Sequence, residues 1–354
     1  MSVHNGAPYV ETAIKSILSQ SFSDFELVIV DDASTDNTLS ILEGYSDRRL
    51  SILRNSKNLG SASSLNLALE RAEGEFVARM DADDISLSCR LEKQTSFLDA
   101  HPEIGILGSA YFRMIVSGRR FGSPVLKPET DQEIRWAILL ENPFCHPSIM
   151  FRRRVLVNHG LSYNSKFTTT QDYELWVRML EHCEGANLRD PLLLYRIHRK
   201  SVSWKNREIQ QRNSVLVSSK AIHSILPTIQ ITDDIIHLLQ KCMFGNLRFR
   251  FPVGVNRGDV VKAYMELFYA FENSIGGTKI DRVRRTVALF SAYIVLHYPF
   301  EPNLLGYLKQ AKLLYPKLAW EYPAFALRIF VRKLARWIVS YLNRNILKHT
   351  AMIS

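Results

Sequence analysis

The chain is poor in cysteine. Its four, Cys89, Cys145, Cys183 and Cys242, are scattered with no C-x-x-C pair, which argues against a disulfide framework or a cysteine zinc site and for buried thiols in a reducing compartment. Long apolar runs are missing too. The stretch "TVALFSAYIVLHYPF" holds about fifteen mostly apolar residues, short of the roughly twenty that a helix needs to span a bilayer, so it predicts a buried helix or an interfacial segment. The opening "MSVHNGAPYV" has neither a basic start nor an apolar stretch of the required length, which gives no secretory signal and predicts a cytoplasmic protein. There is no internal repeat, no low-complexity tract, and no recognition motif or aromatic interleaving for nucleic acid.

Acidic residues are scarce in one part only. Residues 205–354 carry 22 Lys and Arg against 9 Asp and Glu, whereas the preceding 204 carry 23 against 26. The overall charge of +10 therefore belongs to the C-terminal part and says little about chemistry in the N-terminal part. Within it, "ALRIFVRKLARWIVSYLNRNILK" contains no acid; Leu327, Phe330, Val331, Leu334, Trp337, Ile338 and Leu342 recur at helical spacing beside six cations. A helix of that kind lies in the headgroup region of an anionic membrane or packs as an ordinary surface helix. Peripheral contact with the inner face of the plasma membrane through 327–348 is the corresponding expectation.

What the N-terminal part does have is order. "APYVETAIKSILSQ" places Val10, Ile14, Ile17 and Leu18 on one helical face, with Pro8 suited to a first turn. "FELVIV" is a short apolar, β-branched run expected of a strand buried on both faces. A helix from Thr38 to Tyr45, a strand in "LSILRN", a helix in "SASSLNLALERA" and a strand in "EFVARM" follow. Strands alternating with helices imply an α/β fold with a doubly wound, mostly parallel sheet. One piece is out of order: only "MSV" precedes "HNG", so either the start lies inside a longer gene or the first strand is truncated and the sheet has a gap.

Ligands of such sheets bind beyond the carboxyl ends of the strands. Two inferred strands end in acid there: Asp31 with Asp32, and Asp81 with Asp83 and Asp84 in "FVARMDADDIS". Clustered carboxylates repel and raise one another's pKa unless a cation offsets them. In an extended loop, residues two apart point the same way, so Asp81 and Asp83 are expected to face one hard divalent cation, Mn or Mg, with Asp84 turned elsewhere. The plain alternative is that the aspartates solvate a turn and cap the helix near "SLSCRLEKQ".

Taken in order, "SVHNGAPYVETAIKSILSQSFSDFELVIVDDASTDNT", "NLGSASSLNLAL", "GEFVARMDADDIS", "NPFCHPSIMFRR", "QDYELWVRM" and "YRIHRKSVS" resemble the landmarks of glycosyltransferase family 2, the inverting type with a GT-A fold. The resemblance covers roughly residues 1–204. It implies a catalytic domain over 1–204, with a nucleotide-binding half (1–100) and an acceptor half (101–204), followed by a basic, mainly helical region at 205–354. It further implies transfer of a sugar from a nucleotide-diphosphate donor, of uridine type, to a hydroxyl of a glycan or lipid-linked acceptor in surface-polysaccharide synthesis.

Position by position, the resemblance puts Asp31 and Asp32 near the base, Asp81 at the ribose, and Asp83 on the metal. Arg79 is placed near the nucleotide, with an ion-pair role as the alternative. Ser2 and His4 fall near the base, His146 near the sugar or acceptor unless it is structural, and His198 at the metal or diphosphate. Asp172 in "QDYELW" matches the catalytic base; an N-cap of the helix "YELWVRML" is compatible with that role. A single in-line displacement needs one carboxylate to take the acceptor proton, because the nucleotide leaves with metal help instead of protonation. Trp176, at helical spacing from Tyr173 and Leu180, reads as core. Two other readings are weighed. "LVIVDD" superficially resembles a response-regulator receiver, which the "DADD" cluster and the chain length contradict. The other is a catalytically inactive relative that scaffolds a glycan-assembly complex.

Overall fold

The computed structural model describes residues 1–198, 206–244, 256–276, 280–297 and 304–318. The chain divides into two compact units, Met1–Ala221 and Ile222–Ser354. The first unit thus runs past residue 204, because the helix Arg207–Ile225 is anchored to it. Tyr173 Oη and Ser218 Oγ lie 2.9 Å apart, and Asn213 donates to the Thr169 carbonyl and hydroxyl.

The N-terminal half builds as its sequence pattern requires. Strands β1 (Ser2–Val3), β2 (Leu27–Asp31) and β3 (Leu50–Arg54) form a parallel sheet in the order β1-β2-β3. Side chains of β2 alternate between two apolar layers. Leu27 and Ile29 join Val10, Ala13, Ile14 and Ile17 of helix α1 (Val10–Leu18), while Val28 and Val30 pack with Ala68 of α3 (Ser61–Arg71). Both faces are covered, as a continuous apolar strand demands. Helix α2 (Thr38–Glu43) closes this half, with Leu42 fully buried in the α1 layer.

β1 spans two residues. Between Leu27 and Val28 of β2 and Phe76 and Val77 of β4 (Phe76–Ala78) lies a cavity of about 730 Å³, with Met1, Leu65 and Met150 also on its walls. The "EFVARM" strand is shorter than its apolar run suggests. Beyond Ala78 the backbone turns, and the Arg79 N–H bonds to the Ile149 carbonyl at 3.0 Å.

The second sheet has the order β4-β8-β6-β9-β5, with β7 on β6. Its strands are β5 (Ile85–Ser86), β6 (Ile104–Met114), β7 (Arg120–Val125), β8 (Met150–Arg152) and β9 (Glu184–Arg196). The long β6–β9 pairing is parallel, from Ile104↔Glu184 to Met114↔Arg196, and the shorter pairings of this sheet are antiparallel. Helices α4 (Arg90–Ala100), α5 (Asp131–Ala137), α6 (Arg153–His159) and α7 (Gln171–Met179) complete the unit. The N-cap of α4 is Cys89, with no side-chain cap bond, so the "DADD" aspartates do not cap it.

Unit 2 contains the helices Asp233–Phe244, Arg257–Ser274, Asp281–His297 and Leu304–Leu314. "TVALFSAYIVLHYPF" begins within Asp281–His297. Val287, Ala288, Leu289, Ala292 and Ile294 of that helix are buried, which agrees with the buried-helix expectation. Among the described residues no helix is long and apolar enough to cross a membrane. The amphipathic stretch 327–348 lies outside the described residues.

Candidate functional site

The two acidic clusters meet different surroundings. Asp32 is 3% exposed, and its carboxylate accepts from Asn55 Nδ2 (2.7 Å), Leu59 N (2.8 Å) and Gly60 N (2.9 Å). Gly60 adopts φ +85, which glycine takes without the steric cost that a Cβ adds, and this aims its N–H at Asp32. Burial alone raises the Asp32 carboxyl, but the donors from Leu59, Asn55, Gly60 and Ser64 bring it below its ordinary value. Asp32 therefore ties the 55–60 loop to the end of β2. Asp31 is fully buried; its Oδ2 accepts from Ser34 N at 3.2 Å, and its Oδ1 has no partner. Of the pair, Asp31 is the one with an oxygen left to accept a hydrogen bond.

Ser2 and His4 enter the same corner. Ser2 Oγ lies 3.3 Å from Ser61 Oγ, and His4 Nδ1 lies 2.8 Å from the Asp32 carbonyl. Asn5 accepts from Thr35 N at 2.8 Å and receives the Ser34 hydroxyl oxygen on its own N–H at 2.9 Å, so the 34–36 loop is fixed from β1.

Asp81, Asp83 and Asp84 each bring one carboxylate oxygen within 4.8 Å of the others. Asp84 does not point elsewhere, as the alternation of an extended loop implied, because a turn replaces the extended backbone: Asp84 N donates to the Asp81 carbonyl. It sits beneath the others at 1% exposure; Oδ1 accepts from Arg196 N at 2.7 Å, and Oδ2 has no partner. Burial, then the charges of Asp81 and Asp83, push its carboxyl well above the ordinary value. Asp81 is also raised, chiefly by burial, with Asp83 adding to the rise and Arg79 opposing it. Three hard oxygen donors, two with raised pKa and one with an unpartnered buried oxygen, suit a divalent cation such as Mg or Mn.

The loop is held from below and behind. Arg79, 7% exposed, forms an ion pair with Asp81. Arg90 Nη2 donates to the carbonyls of Arg79 (2.7 Å) and Ile149 (2.9 Å); its burial lowers its pKa to about 10. Arg196 Nε donates to the Asp83 carbonyl at 2.6 Å, its Nη1 reaches the Val116 carbonyl at 2.8 Å, and its guanidinium lies over the Tyr9 ring. His198 Nε2 is 2.7 Å from Asp83 Oδ2, so the histidine after β9 does arrive at the acidic loop.

Asp172 is the second residue of α7, and the N-cap is Thr170, in the left-handed region at φ 61. The N-cap reading of Asp172 is thereby corrected. A carboxylate in the first turn is still favoured by the helix dipole. Burial raises the Asp172 carboxyl; backbone N–H groups, the Arg79 charge and Asn142 oppose the rise. Asn142 Nδ2 donates to Asp172 Oδ2 at 2.7 Å. Arg79 thus acts electrostatically on both Asp81 and Asp172.

His146 Nε2 is 2.9 Å from Tyr163 Oη, and the ring packs edge-on to Trp176. Burial and Arg79 lower its pKa well below the ordinary value, which favours the neutral ring. Trp176 is fully buried among Phe144, Phe151 and Tyr163, a core residue as expected. Three non-glycine residues with positive φ among those described, Asn5, Ala33 and Thr170, lie within three residues of Asp31, Asp32 or Asp172 or, for Asn5, bind the loop beside them. Left-handed backbone costs roughly 1–2 kcal/mol in residues with a Cβ, and such strain gathers at functional sites.

Sequence reasoning missed Asn55, Asn142, Tyr163 and Arg196. Asn142 and Arg196 stand inside the quoted "NPFCHPS" and "YRIHRKS" segments, but nothing in their spacing marks them. Their roles depend on contacts 17 to 113 residues away in the chain.

The model for glycosyl transferase family 2 matches residues 1–160. An O-antigen biosynthesis glycosyltransferase, WbnJ of Escherichia coli, is 35% identical over 210 residues, 57% of this chain and 79% of that protein. An uncharacterized glycosyltransferase of Haemophilus influenzae is 33% identical over 210 residues, 56% of this chain; the chain spans 65% of that relative's length. The solved structure of S. aureus TarS 1–349 in complex with UDP-GlcNAc is similar with a TM-score of 0.55 at 20% identity, covering 89% of this chain and 90% of that one. The chain belongs to glycosyltransferase family 2, and its fold is of the GT-A type.

Proposed function

We propose that this chain transfers a sugar from a nucleoside-diphosphate donor to a hydroxyl of a glycan or lipid-linked acceptor, with inversion, in surface-polysaccharide synthesis. One observation carries the reading: an acidic cluster fit for a cation and a separate half-buried carboxylate, Asp172, share the field of one guanidinium, that of Arg79. An inverting transfer needs those two things, charge stabilisation on the leaving side and one base on the attacking side.

Asp31 accepts a hydrogen bond from the base, with Ser2 and His4 lining that corner and Asp32 holding the loop that shapes it. Asp81 takes the ribose side, and Asp83 with His198 holds the cation, Asp84 supporting them from beneath. A bound Mn or Mg supplies Lewis-acid stabilisation of the departing diphosphate. Asp172 takes the proton of the attacking hydroxyl from the opposite side. Its raised pKa makes it a stronger base than an ordinary aspartate. Tyr163 and neutral His146 wall the acceptor side and keep water out.

A uridine donor is favoured by the likeness to a protein solved with UDP-GlcNAc, and a surface-glycan acceptor by the relative named for O-antigen biosynthesis. The basic C-terminal region fits work at an anionic membrane where lipid-linked glycans reside.

The test is turnover of a panel of nucleotide sugars by purified protein with Mn, Mg or EDTA, beside Asp83→Ala and Asp172→Asn, with folding checked by circular dichroism. One donor consumed only with metal, and lost in both folded variants, is the expected result. A folded wild type that neither binds nor turns over any donor refutes the reading and leaves the scaffolding role.

A further inference from the structure

The loop that follows α5 carries two groups facing the acceptor side. His146 packs against Tyr163, and Asn142, four residues earlier, reaches Asp172 across 30 residues of sequence. The orientation of the Asn142 carboxamide is fixed by chemistry. Its Oδ1 accepts the Phe144 N–H at 3.1 Å, a contact that only the oxygen end can make, so the amino end must face Asp172 and donate to it. The Asn142 carbonyl in turn accepts from Lys127 Nζ at 2.9 Å. The carboxamide oxygen is therefore held by Phe144 N, and the Asn142 backbone by Lys127, both independently of Asp172.

We infer that Asn142 is the positioning residue of the base: its 2.7 Å bond pins Asp172 Oδ2, so that Oδ1 is the oxygen that receives the acceptor proton. This rests on the assignment of Asp172 as the base proposed above. A carboxylate on a helix first turn has a soft terminal torsion; a fixed donor at 2.7 Å removes that freedom before substrate arrives, which is what preorganisation of a proton acceptor requires. The same bond favours the ionised form and so opposes the effect of burial. The other groups acting on Asp172 are the Arg79 guanidinium from the end of β4, the Tyr163 hydroxyl from the preceding loop, and the backbone N–H groups of Asp172 and Tyr173 on α7 itself. Of these, Asn142 is the neutral side chain bonded directly to the carboxylate, so its removal changes the base without changing the charge around it.

The experiment compares wild type, Asn142→Ala, Asn142→Asp and Asp172→Asn, with ¹³C-labelled aspartate. Side-chain carboxyl titration by NMR, with the Asp172 signal assigned by its loss in Asp172→Asn, is followed in each. Mn-supported turnover of UDP-glucose and UDP-GlcNAc is measured in parallel from pH 5 to 9. The expected result is that Asn142→Ala titrates Asp172 at higher pH, moves the acid limb of kcat the same way, and lowers kcat at pH 7 about tenfold with donor KM unchanged. Asn142→Asp moves the limb further, because it sets a second carboxylate against the first. A purely structural Asn142 lowers the melting temperature but leaves titration and limb in place; that outcome in either folded variant overturns the inference. If Asp172→Asn itself keeps wild-type turnover, the base assignment has failed. If Asp172→Asn is inactive while both Asn142 variants titrate as wild type, only this inference has failed.

Discussion

Two strands of this chain run on into acids, β2 directly at Asp31 and Asp32 and β4 a short step past its end at Asp81, Asp83 and Asp84, and the folded molecule treats them in opposite ways. At the end of β2 the carboxylate of Asp32 meets Asn55 Nδ2, Leu59 N and Gly60 N and becomes part of the scaffold. At the end of β4, Asp81, Asp83 and Asp84 converge within 4.8 Å with too few donors between them. The same sequence signal, apolar strand then acid, is resolved by hydrogen-bond supply. Enough donors bring the Asp32 carboxyl below its ordinary value in spite of burial, whereas burial, with neighbouring like charges adding to it, raises Asp81 and Asp84.

This contrast can be broken or sharpened. The largest effect is expected outside both clusters: Asp172→Asn removes the base and lowers transfer about 10²–10⁴-fold, read as kcat with the melting temperature unchanged. Next, Asp83→Ala is expected to lower metal-supported turnover about 10²-fold or more and to raise the Mn concentration needed for half activity. Asp32→Ala belongs to stability. It orphans three donors, costing about 3 kcal/mol and lowering the melting temperature by roughly 6–12 °C. An Asp32→Ala protein that is as stable as wild type but inactive erases the contrast.

The smallest effects concern protons. Because burial raises Asp172, the acid limb of kcat is expected above the ordinary carboxylate value of 3.8, so activity falls as pH drops through that raised pKa. The Asp84 carboxyl is raised as well; the native state then binds its proton more tightly than the unfolded chain does, and ionisation at neutral pH weakens the fold. In EDTA, Asp84→Asn is expected to raise the melting temperature by about 2–4 °C at pH 7.5, a gain that shrinks as pH falls toward 3.8 and wild type is itself protonated.

Much of the nucleotide half was legible because its elements are set by short-range pattern. The apolar face of Val10, Ile14 and Ile17 gave α1, and the run Leu27–Val30 gave β2, within a residue or two of the observed ends. The placement of Asp84 was not legible, since it depends on a turn at Asp81 and on Arg196, 112 residues away. The different fate of Asp32 was also hidden, because its donors are mostly backbone N–H groups, which every residue but proline carries. Asn142 escaped notice for a similar reason: a lone asparagine in "ENPFCHPS" has no periodicity, and its partner lies on another element.

The measurement that bears most directly on the account is calorimetric titration of Mn into folded wild type, Asp83→Ala and Asp32→Asn, each with and without UDP. The account predicts that wild type binds one Mn, more tightly with UDP present, that Asp83→Ala loses this binding, and that folded Asp32→Asn keeps it. Wild type that takes up no Mn or Mg, with or without UDP or GDP, contradicts the claim that the Asp81–Asp83–Asp84 loop is a cation site for a nucleoside diphosphate.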